Sequence, residues 1–177
     1  MVLGALFWTV DTRAAGECAS PAGKIVSVQG VVDMRSPAVG PWLTAPTGAR
    51  LCPGDQVRVA RYGRAAVFLD GETTLRLDQE STLTIGEAKQ EGVAKATILD
   101  LLRGAIHVIT RTPQPFKINT PFVNAGVEGT EFAIDVGADQ ARVATFEGQV
   151  TLSNAQGALH LVASELALVA ANQAPTK

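Results

Sequence analysis

The sequence is short of charged and aromatic residues, and each shortage narrows the class of protein. Charged residues make up 18% of the 177 residues, against about 25% in a typical soluble domain. The 15 basic and 17 acidic residues leave a net charge of −2. A protein that binds nucleic acid takes much of its affinity from a basic excess, so we expect no nucleic-acid partner. With aromatic residues at 5%, few rings are available to stack on a sugar.

Long apolar runs are also missing. A membrane-spanning helix needs roughly 20 apolar residues, whereas the run at residues 2–10 (VLGALFWTV) has nine. This run, followed by Ala14, Ala15 and Gly16, is typical of a secretory signal peptide, although no Lys or Arg precedes it. An N-terminal strand is the alternative. We therefore expect a signal peptide at residues 1–16, a short segment at 17–22, no membrane span, and a periplasmic or secreted protein.

Cysteine occurs only twice, at positions 18 and 52. A single pair is consistent with one disulfide bond, Cys18 to Cys52, in an oxidising compartment. Two buried free thiols are the alternative. The two histidines, His107 and His160, lie too far from the cysteines for a zinc-finger spacing. The sequence predicts no metal site and no cofactor.

Catalytic motifs are absent as well. The sequence contains neither the G-x-S-x-G motif of an esterase nor the G-K-[ST] of a phosphate loop. Both histidines lie in strand-like segments, and no spacing among the acidic residues singles out a pair for glycoside hydrolysis. We predict no catalytic residue and therefore no enzyme.

What the sequence does contain is typical of many short strands. Apolar residues reach 46%, with 17 Gly and 9 Pro, and apolar positions alternate with polar ones over most of the chain after Lys24. Asp70 and Gly71 form a strong tight-turn signal between two such segments. Only at residues 97–110 does a helix compete with a strand. The sequence therefore predicts an all-β fold of short, mostly antiparallel strands.

A weak internal repeat accompanies these strands. The pattern apolar-x-Gly-x-apolar-x-apolar occurs around Gly30, Gly104 and Gly148. The repeat places all four positions on one face and predicts stacked rungs in which a glycine lets each strand bend around a shared core. The irregular spacing excludes a strict solenoid, and a sandwich with bent strands would give the same pattern.

An ordered series of landmarks resembles the FecR domain. The series covers residues 23–169 and includes Gly54-Asp55, Leu102-Arg103-Gly104, Asn119-Thr120-Pro121 and, most specific, Gly129-Thr130-Glu131-Phe132. The resemblance implies a β-solenoid, β-roll-like or sandwich-like stack, with Gly126 and Gly129 providing tight backbone geometry, Thr130 satisfying a backbone group and Phe132 filling the core. Residues 170–177 are expected to be a tail or linker. The anti-sigma segment and transmembrane helix of the family's founding members are missing from this sequence.

The resemblance also implies a role in binding. We expect a non-enzymatic, protein-interaction or regulatory module of envelope signalling or assembly, with another envelope protein as partner; a carbohydrate or cell-wall binding module is the alternative, with polysaccharide as ligand. The contact surface is predicted around residues 119–131, with Pro121, Phe122, Asn124 and Glu128 as candidate contacts. Capping of the core by Phe122 competes with that role. Trp42 is expected to plug an edge of the core.

Overall fold

The all-β prediction is confirmed. The structure, a computed structural model, describes residues 18–37, 40–69, 72–87, 89–91, 94–111, 115–127 and 129–177, with the backbone alone at 89–91 and 94–95. The predicted signal peptide, the Asp70–Gly71 turn and Glu128 lie outside these residues. In chain order, the strands are β1 (Gly23–Gln29), β2 (Val32–Arg35), β3 (Leu43–Thr44), β4 (Arg50–Leu51), β5 (Gln56–Val59), β6 (Arg64–Leu69), β7 (Thr73–Leu77), β8 (Thr82–Ile85), β9 (Lys89–Glu91), β10 (Ala94–Thr110), β11 (Phe116–Asn119), β12 (Asn124–Val127), β13 (Glu131–Val136), β14 (Gln140–Glu147), β15 (Gln149–Asn154), β16 (Gly157–Val162) and β17 (Leu166–Ala170).

Apart from β9, which pairs with the start of β10, the described strands form two sheets that share one long strand. Sheet A has the order β4-β1-β6-β7-β10-β13-β14-β17, and its pairings are all antiparallel. Sheet B has the order β3-β2-β5-β8-β10-β11-β12-β15-β16. The first half of β10 pairs in sheet B and the second half in sheet A. The inward faces of both sheets supply one buried apolar core.

Most strands of sheet A are joined through a bend to a strand of sheet B that precedes or follows them in the chain, so the chain forms stacked, bent rungs. In the described part of the chain, each bend contains one residue in the left-handed region, where φ is positive. Such a residue reverses the local direction of the backbone, which is why glycine is favoured there. The residues are Gly30, Tyr62, Glu80, Gly104, Gly129, Gly148 and Ser164, with φ of 68, 61, 59, 86, 59, 79 and 68°.

The glycine repeat seen in the sequence corresponds to three of these bends, but one detail of its prediction is wrong. The two apolar positions after each glycine are buried, as at Val150 and Leu152. Two residues before the glycine, Val28 is half-buried and packs against the core, but Leu102 is 62% and Phe146 is 55% exposed. The strand pairing skips both residues, which are therefore β-bulges. A bulge adds one residue to the strand and so ends the alternation that the repeat assumed.

Two of the bends are held by a hydroxyl group on the next rung. A Cβ on Gly104 would lie 2.4 Å from Ser81 Cα, so this site has no room for a side chain. The Ser81 hydroxyl accepts a hydrogen bond from the N–H of Ala105 and donates one to its carbonyl. At Gly148 a Cβ would lie 3.0 Å from Thr130 Oγ1. Here glycine serves both backbone conformation and close packing between rungs.

A parallel strand pairing joins the two halves of the stack. After β10 has passed through both sheets, the chain returns to sheet B and places β11 parallel to β10, with Thr97 opposite Phe116. The other strand pairings are antiparallel in the described residues. Because β13 starts beside the end of β10, with Glu131 opposite Ile109, the later bends lie on the opposite side of the stack from the earlier ones.

The last residues pack onto the final rung. Thr176 exchanges two backbone hydrogen bonds with Leu168 of β17 (2.8 and 3.1 Å), Pro175 is buried, and the Lys177 ammonium donates to Glu165. These residues cover the open side of β17. No helix long and apolar enough to cross a membrane occurs in the part of the chain that the structure describes.

Candidate interaction surfaces

A disulfide bond fastens the N-terminal segment to the stack. Cys18 is bonded to Cys52, with 6.0 Å between the Cα atoms and a sequence separation of 34. Beside it, the buried Asp55 accepts a hydrogen bond from the Cys52 N–H through Oδ2 at 2.8 Å. In the chain-entropy model a loop of this size is worth about 3–4 kcal/mol. The bond therefore stabilises the edge of the stack and leaves both sulfurs without free thiol chemistry.

The most specific landmark of the sequence lies at a bend. Gly129 has a φ of 59°, and the Thr130 hydroxyl donates to the Gln149 carbonyl at 3.1 Å. Phe132 is fully buried among the inward residues of both sheets. In this structure these three residues shape a bend and fill the core.

The candidate contacts at residues 119–124 form a tight turn between β11 and β12. The Thr120 hydroxyl donates to the Val123 carbonyl at 2.7 Å and accepts from the N–H groups of Phe122 and Val123. Phe122 is half-buried and packs against the core, and its carbonyl accepts a hydrogen bond from Asn154. Pro121 and Asn124 are exposed. The turn thus presents polar and small groups, while its aromatic ring serves the core.

Trp42 does not plug the core, contrary to expectation. Its indole ring lies against the outer side of sheet B, with the guanidinium carbons of Arg35 and Arg58 at 4.6 and 4.3 Å from the ring centroid. Both cations gain a cation–π contact in this arrangement. Arg58 also forms an ion pair with Asp33 at 2.6 Å. Tyr62 contacts a different cation, Arg61, and no observation on the described residues favours the carbohydrate alternative.

A cluster of ion pairs surrounds the outer side of the bends at Gly129 and Gly148. His107 Nε2 lies 3.0 Å from Glu131 Oε1, and its ring contacts Phe146 edge-on at 5.6 Å. Arg111 bridges Glu131 and Glu147. The hydrogen bond that Arg111 donates to Glu147, together with the negative charge of Glu147, raises the pKa of Arg111. The cluster contains no nucleophile next to a base. Its arrangement is that of a structural network that joins neighbouring rungs.

An open groove lies over Gly126, in the middle of β12. It has a volume of about 530 Å³. Unlike the glycines at the bends, Gly126 has no positive φ, and among the described residues a Cβ there would meet nothing closer than the Thr151 carbonyl oxygen at 4.0 Å. The expectation that Gly126 provides tight backbone geometry is therefore wrong. The described lining residues are Pro115, Phe116, Lys117, Gly126, Val127, Gly148, Gln149 and Thr151.

The rim of this groove was not predicted from the sequence. Lys117, Gly126 and Thr151 are register neighbours on β11, β12 and β15, and they share the outer face of sheet B. Their alternation with buried neighbours is visible in the sequence, but their proximity depends on pairings between strands up to 34 positions apart. Among the described residues, no group of three or more His, Cys, Asp and Glu side chains is placed to hold a metal ion.

The chain was compared with known proteins. No curated protein matches it. Two crystal structures of a "putative anti-sigma factor" from Parabacteroides distasonis ATCC 8503 have the same fold, with TM-scores of 0.59 and 0.58 and sequence identities of 16% and 17%. In both cases the match covers 68% of this chain and 57% of the other. The family model described as FecR protein matches residues 55–151, which is more than half of the chain, and the chain therefore belongs to the FecR family.

Proposed function

We propose that this chain is a non-enzymatic regulatory module of the cell envelope, exported to the periplasm, that binds another protein through the groove over Gly126. Membership of the FecR family supports a regulatory role. The structural neighbours carry the description of a regulatory protein, an anti-sigma factor. The observation that carries the assignment to this surface is the unexplained glycine at the floor of the groove.

Glycine in the interior of a strand costs stability. It loses more backbone entropy on folding than alanine and provides no side chain to pack, a difference of roughly 0.5–1 kcal/mol. At Gly104 and Gly148 the fold requires the missing side chain. At Gly126 nothing in the described structure requires it, since space is open and φ is ordinary. A strand glycine of this kind marks a place where another chain or a ligand approaches closely.

The chemistry of the groove suits a protein segment. Its floor is backbone at Gly126 and Val127, and its rim carries the Gln149 amide, the Thr151 hydroxyl and the Lys117 ammonium. The amide and the hydroxyl can orient polar atoms of a bound segment, while the bare backbone allows that segment to lie close to the sheet. Phe116 and Val127 are themselves buried in the core, so the floor is rigid before the partner arrives.

The test is a pair of valine variants. Gly126→Val fills the groove from its floor, and because a strand favours β-branched residues, we expect an unchanged or higher melting temperature. A photo-crosslinker at the exposed Thr151, in protein expressed in the periplasm of the native host, should capture a partner. In Gly126→Val this capture should fall about tenfold, the effect of losing about 1.4 kcal/mol of binding free energy.

The matched control is Ala144→Val, at a half-buried position on the outer face of sheet A. It should leave the capture at Thr151 unchanged. Equal capture by Gly126→Val and the original chain, or no specific capture from Thr151, would refute the groove as the binding surface.

Export is tested separately by intact mass and thiol titration of the periplasmic protein. Loss of about the first sixteen residues at a signal-peptide cleavage site, with no titratable thiol, is the expected result. A retained N-terminus with two free thiols would exclude a periplasmic protein, whatever binds at the groove.

A further inference from the structure

A second cavity lies on the outer face of sheet A. Its volume is about 360 Å³, within the range of about 300–1,000 Å³ that small-molecule sites occupy. Strands β6, β7, β10 and β13, which are neighbours in the sheet, border it. The outward side chains among its described lining are those of Arg64, Arg76, Asp78, Ala105, His107 and Ala133.

The cavity has an apolar floor and a polar rim. The strand register places His107 between Arg76 on one side and Ala133 on the other. The Ala105 carbonyl accepts a backbone hydrogen bond from Asp78 at 2.9 Å, which brings that aspartate beside the floor. The methyl groups of the two alanines leave a depression in the sheet surface, and the longer side chains around them form its rim.

One positive charge at the rim has no counterpart. Arg64 contacts Asp78 at 3.3 Å. The two carboxylates of β13 that face outwards, Glu131 and Asp135, have their own basic partners. Within the described residues, Arg76 has no ion pair and no side-chain hydrogen bond. The cavity therefore contains one guanidinium group that is free to receive an anion.

We propose that this cavity binds a small aliphatic carboxylate, with the anion on Arg76 and the hydrocarbon part over Ala105 and Ala133. The planar guanidinium matches a carboxylate, to which it donates two parallel hydrogen bonds. A single uncompensated charge suits a monoanion, whereas a phosphate dianion would have the same one cation and the Asp78 carboxylate nearby. The groove over Gly126 lies on the opposite outer face, so this site does not depend on the partner proposed there.

The affinity should be modest because the site is open to solvent. The rim side chains of Arg64 and Asp78 are 72% and 51% exposed, and water screens charge-assisted bonds at such positions. A short acid also has few atoms with which to gain binding energy. For butyrate we expect a Kd of about 1–10 mM.

NMR titration of the disulfide-bonded protein with sodium butyrate, at constant ionic strength, tests the site. The amide signals of Ala105, His107 and Ala133 should shift with one common Kd, and those of Lys117 and Thr151 at the groove should not. Butyramide, which lacks the charge, should bind at least tenfold more weakly. Equal binding of butyrate and butyramide, tighter binding of inorganic phosphate, or shifts at the groove alone would overturn the proposal.

Two changes at the cavity separate the role of charge from that of shape. Arg76→Gln, at an exposed position, should weaken butyrate binding at least tenfold. Ala133→Leu fills the floor and should reduce binding to the same extent with the arginine intact. The melting temperature of each variant shows that it is folded.

The matched control is Arg103→Gln, at an exposed arginine in the sheet B half of β10. It removes the same charge away from the described lining of the cavity and should leave the Kd unchanged. Undiminished binding by Arg76→Gln, or an equal loss in Arg103→Gln, would contradict a specific site.

A dipeptide distinguishes two sources of the carboxylate. N-acetyl-alanyl-alanine presents the same group at the end of a peptide. If it binds more tightly than butyrate and depends on Arg76, the site receives the carboxyl terminus of a polypeptide; if it binds more weakly, the site receives a free acid. Binding of neither compound would refute the site.

Discussion

Left-handed backbone residues turn the chain from one sheet to the other, and three of them are not glycine. Tyr62, Glu80 and Ser164 occupy bends equivalent to those of Gly30, Gly104, Gly129 and Gly148. A residue with a Cβ is strained in this conformation by about 1–2 kcal/mol. Replacement by glycine should therefore relieve strain at each of these three bends. All three side chains are exposed, and Ser164 is the smallest of them, so its removal costs the least side-chain contact.

We expect Ser164→Gly to stabilise the protein. Relief of the strain at φ 68° outweighs the added entropy of glycine in the unfolded chain, for a net gain of about 0.5–1 kcal/mol. Chemical denaturation at constant m-value measures the change. Ser153→Gly in β15, where φ is not positive, is the control and should lower stability. A loss of stability in Ser164→Gly would show that the serine side chain has a favourable role at the bend.

The glycines themselves should separate into two classes. Gly104→Ala combines positive φ with a Cβ placed 2.4 Å from Ser81 Cα, so we expect a loss of about 3 kcal/mol or more. Gly126→Ala meets open space and should be neutral or slightly stabilising. Thermal unfolding of the two variants makes the comparison. A similar loss in both would mean that the sheet around Gly126 is tighter than the groove indicates.

The difference between the glycines at the bends and Gly126 could be predicted only in part from the sequence. The repeat identified Gly30, Gly104 and Gly148 as bends because apolar residues follow each at the same spacing. It could not separate Gly126 from Gly129, since both stand in one short segment. The two glycines differ in their neighbours across the sheet. Gly126 lies opposite Thr151, whereas Gly129 lies beside Gly148. Both neighbours are determined by pairing between strands that are far apart in the sequence.

At the scale of the elements, the C-terminal residues act as a clasp on β17. The hydrogen bond from Lys177, followed by that from the Val162 N–H, lowers the pKa of Glu165 below its ordinary value of 4.5. A carboxyl whose pKa is lower in the folded than in the unfolded chain stabilises the fold above its unfolded pKa. That contribution is lost as the pH falls through the folded pKa.

The clasp should therefore loosen in acid. As the pH falls from neutral to below the ordinary pKa of glutamate, about 4.3–4.5, the amide signals of Leu168 and Thr176 should shift towards those of unpaired strand residues. NMR titration of these two amides measures the change. Glu165→Gln removes the titrating group, and its Leu168 signal should show no such acid transition. An identical titration in the variant would place the transition elsewhere.

Strand β10 lies in the segment for which the sequence did not distinguish a strand from a helix, because apolar and polar residues do not alternate regularly there. For residues 97–110 the sequence allowed either a helix or a strand, because Leu99 and Leu101 are followed directly by another apolar residue, Leu102. The structure resolves this with a bulge at Leu102 and a bend at Gly104. Leu99 and Leu101 face the core in sheet B, Ile106 and Val108 in sheet A. In the sequence, the only local indication of the bulge at Leu102 and the bend at Gly104 is the glycine itself.

At the scale of the whole molecule, β10 makes the two sheets one folding unit. It pairs with β8 and β11 in sheet B, with β7 and β13 in sheet A, and with β9 near its start. Its inward residues Leu101 and Ile106 are each 1% exposed. Neither sheet can lose this strand without exposing the inner face of the other.

We therefore expect a single cooperative unfolding transition. Leu101→Ala in the sheet B half and Ile106→Ala in the sheet A half should each cost about 3 kcal/mol. Either variant should lower the hydrogen-exchange protection of Leu83 in sheet B and Ile134 in sheet A by the same free energy. Loss of protection confined to the mutated sheet would show that the sheets unfold separately.

The fold class and the family followed from the sequence because they depend on composition, alternation and an ordered series of short motifs. The arrangement of the stack did not. The parallel pairing of β10 with β11 moves the later bends to the opposite side, and no motif in the sequence predicts that Phe116 pairs beside Thr97. The outward position of Trp42 depends on two arginines from different strands, Arg35 and Arg58.

Hairpin turns and bends also differ in whether they can accept additional residues. The turn at residues 137–140 closes a hairpin within sheet A, with one backbone bond from the Gly137 N–H to the Gln140 carbonyl, and its residues are exposed. Extra residues there would extend into solvent, which makes this turn the natural place for an epitope tag or a grafted loop. At Gly104 or Gly148, an added residue would shift the strand that follows and reverse every side chain on it.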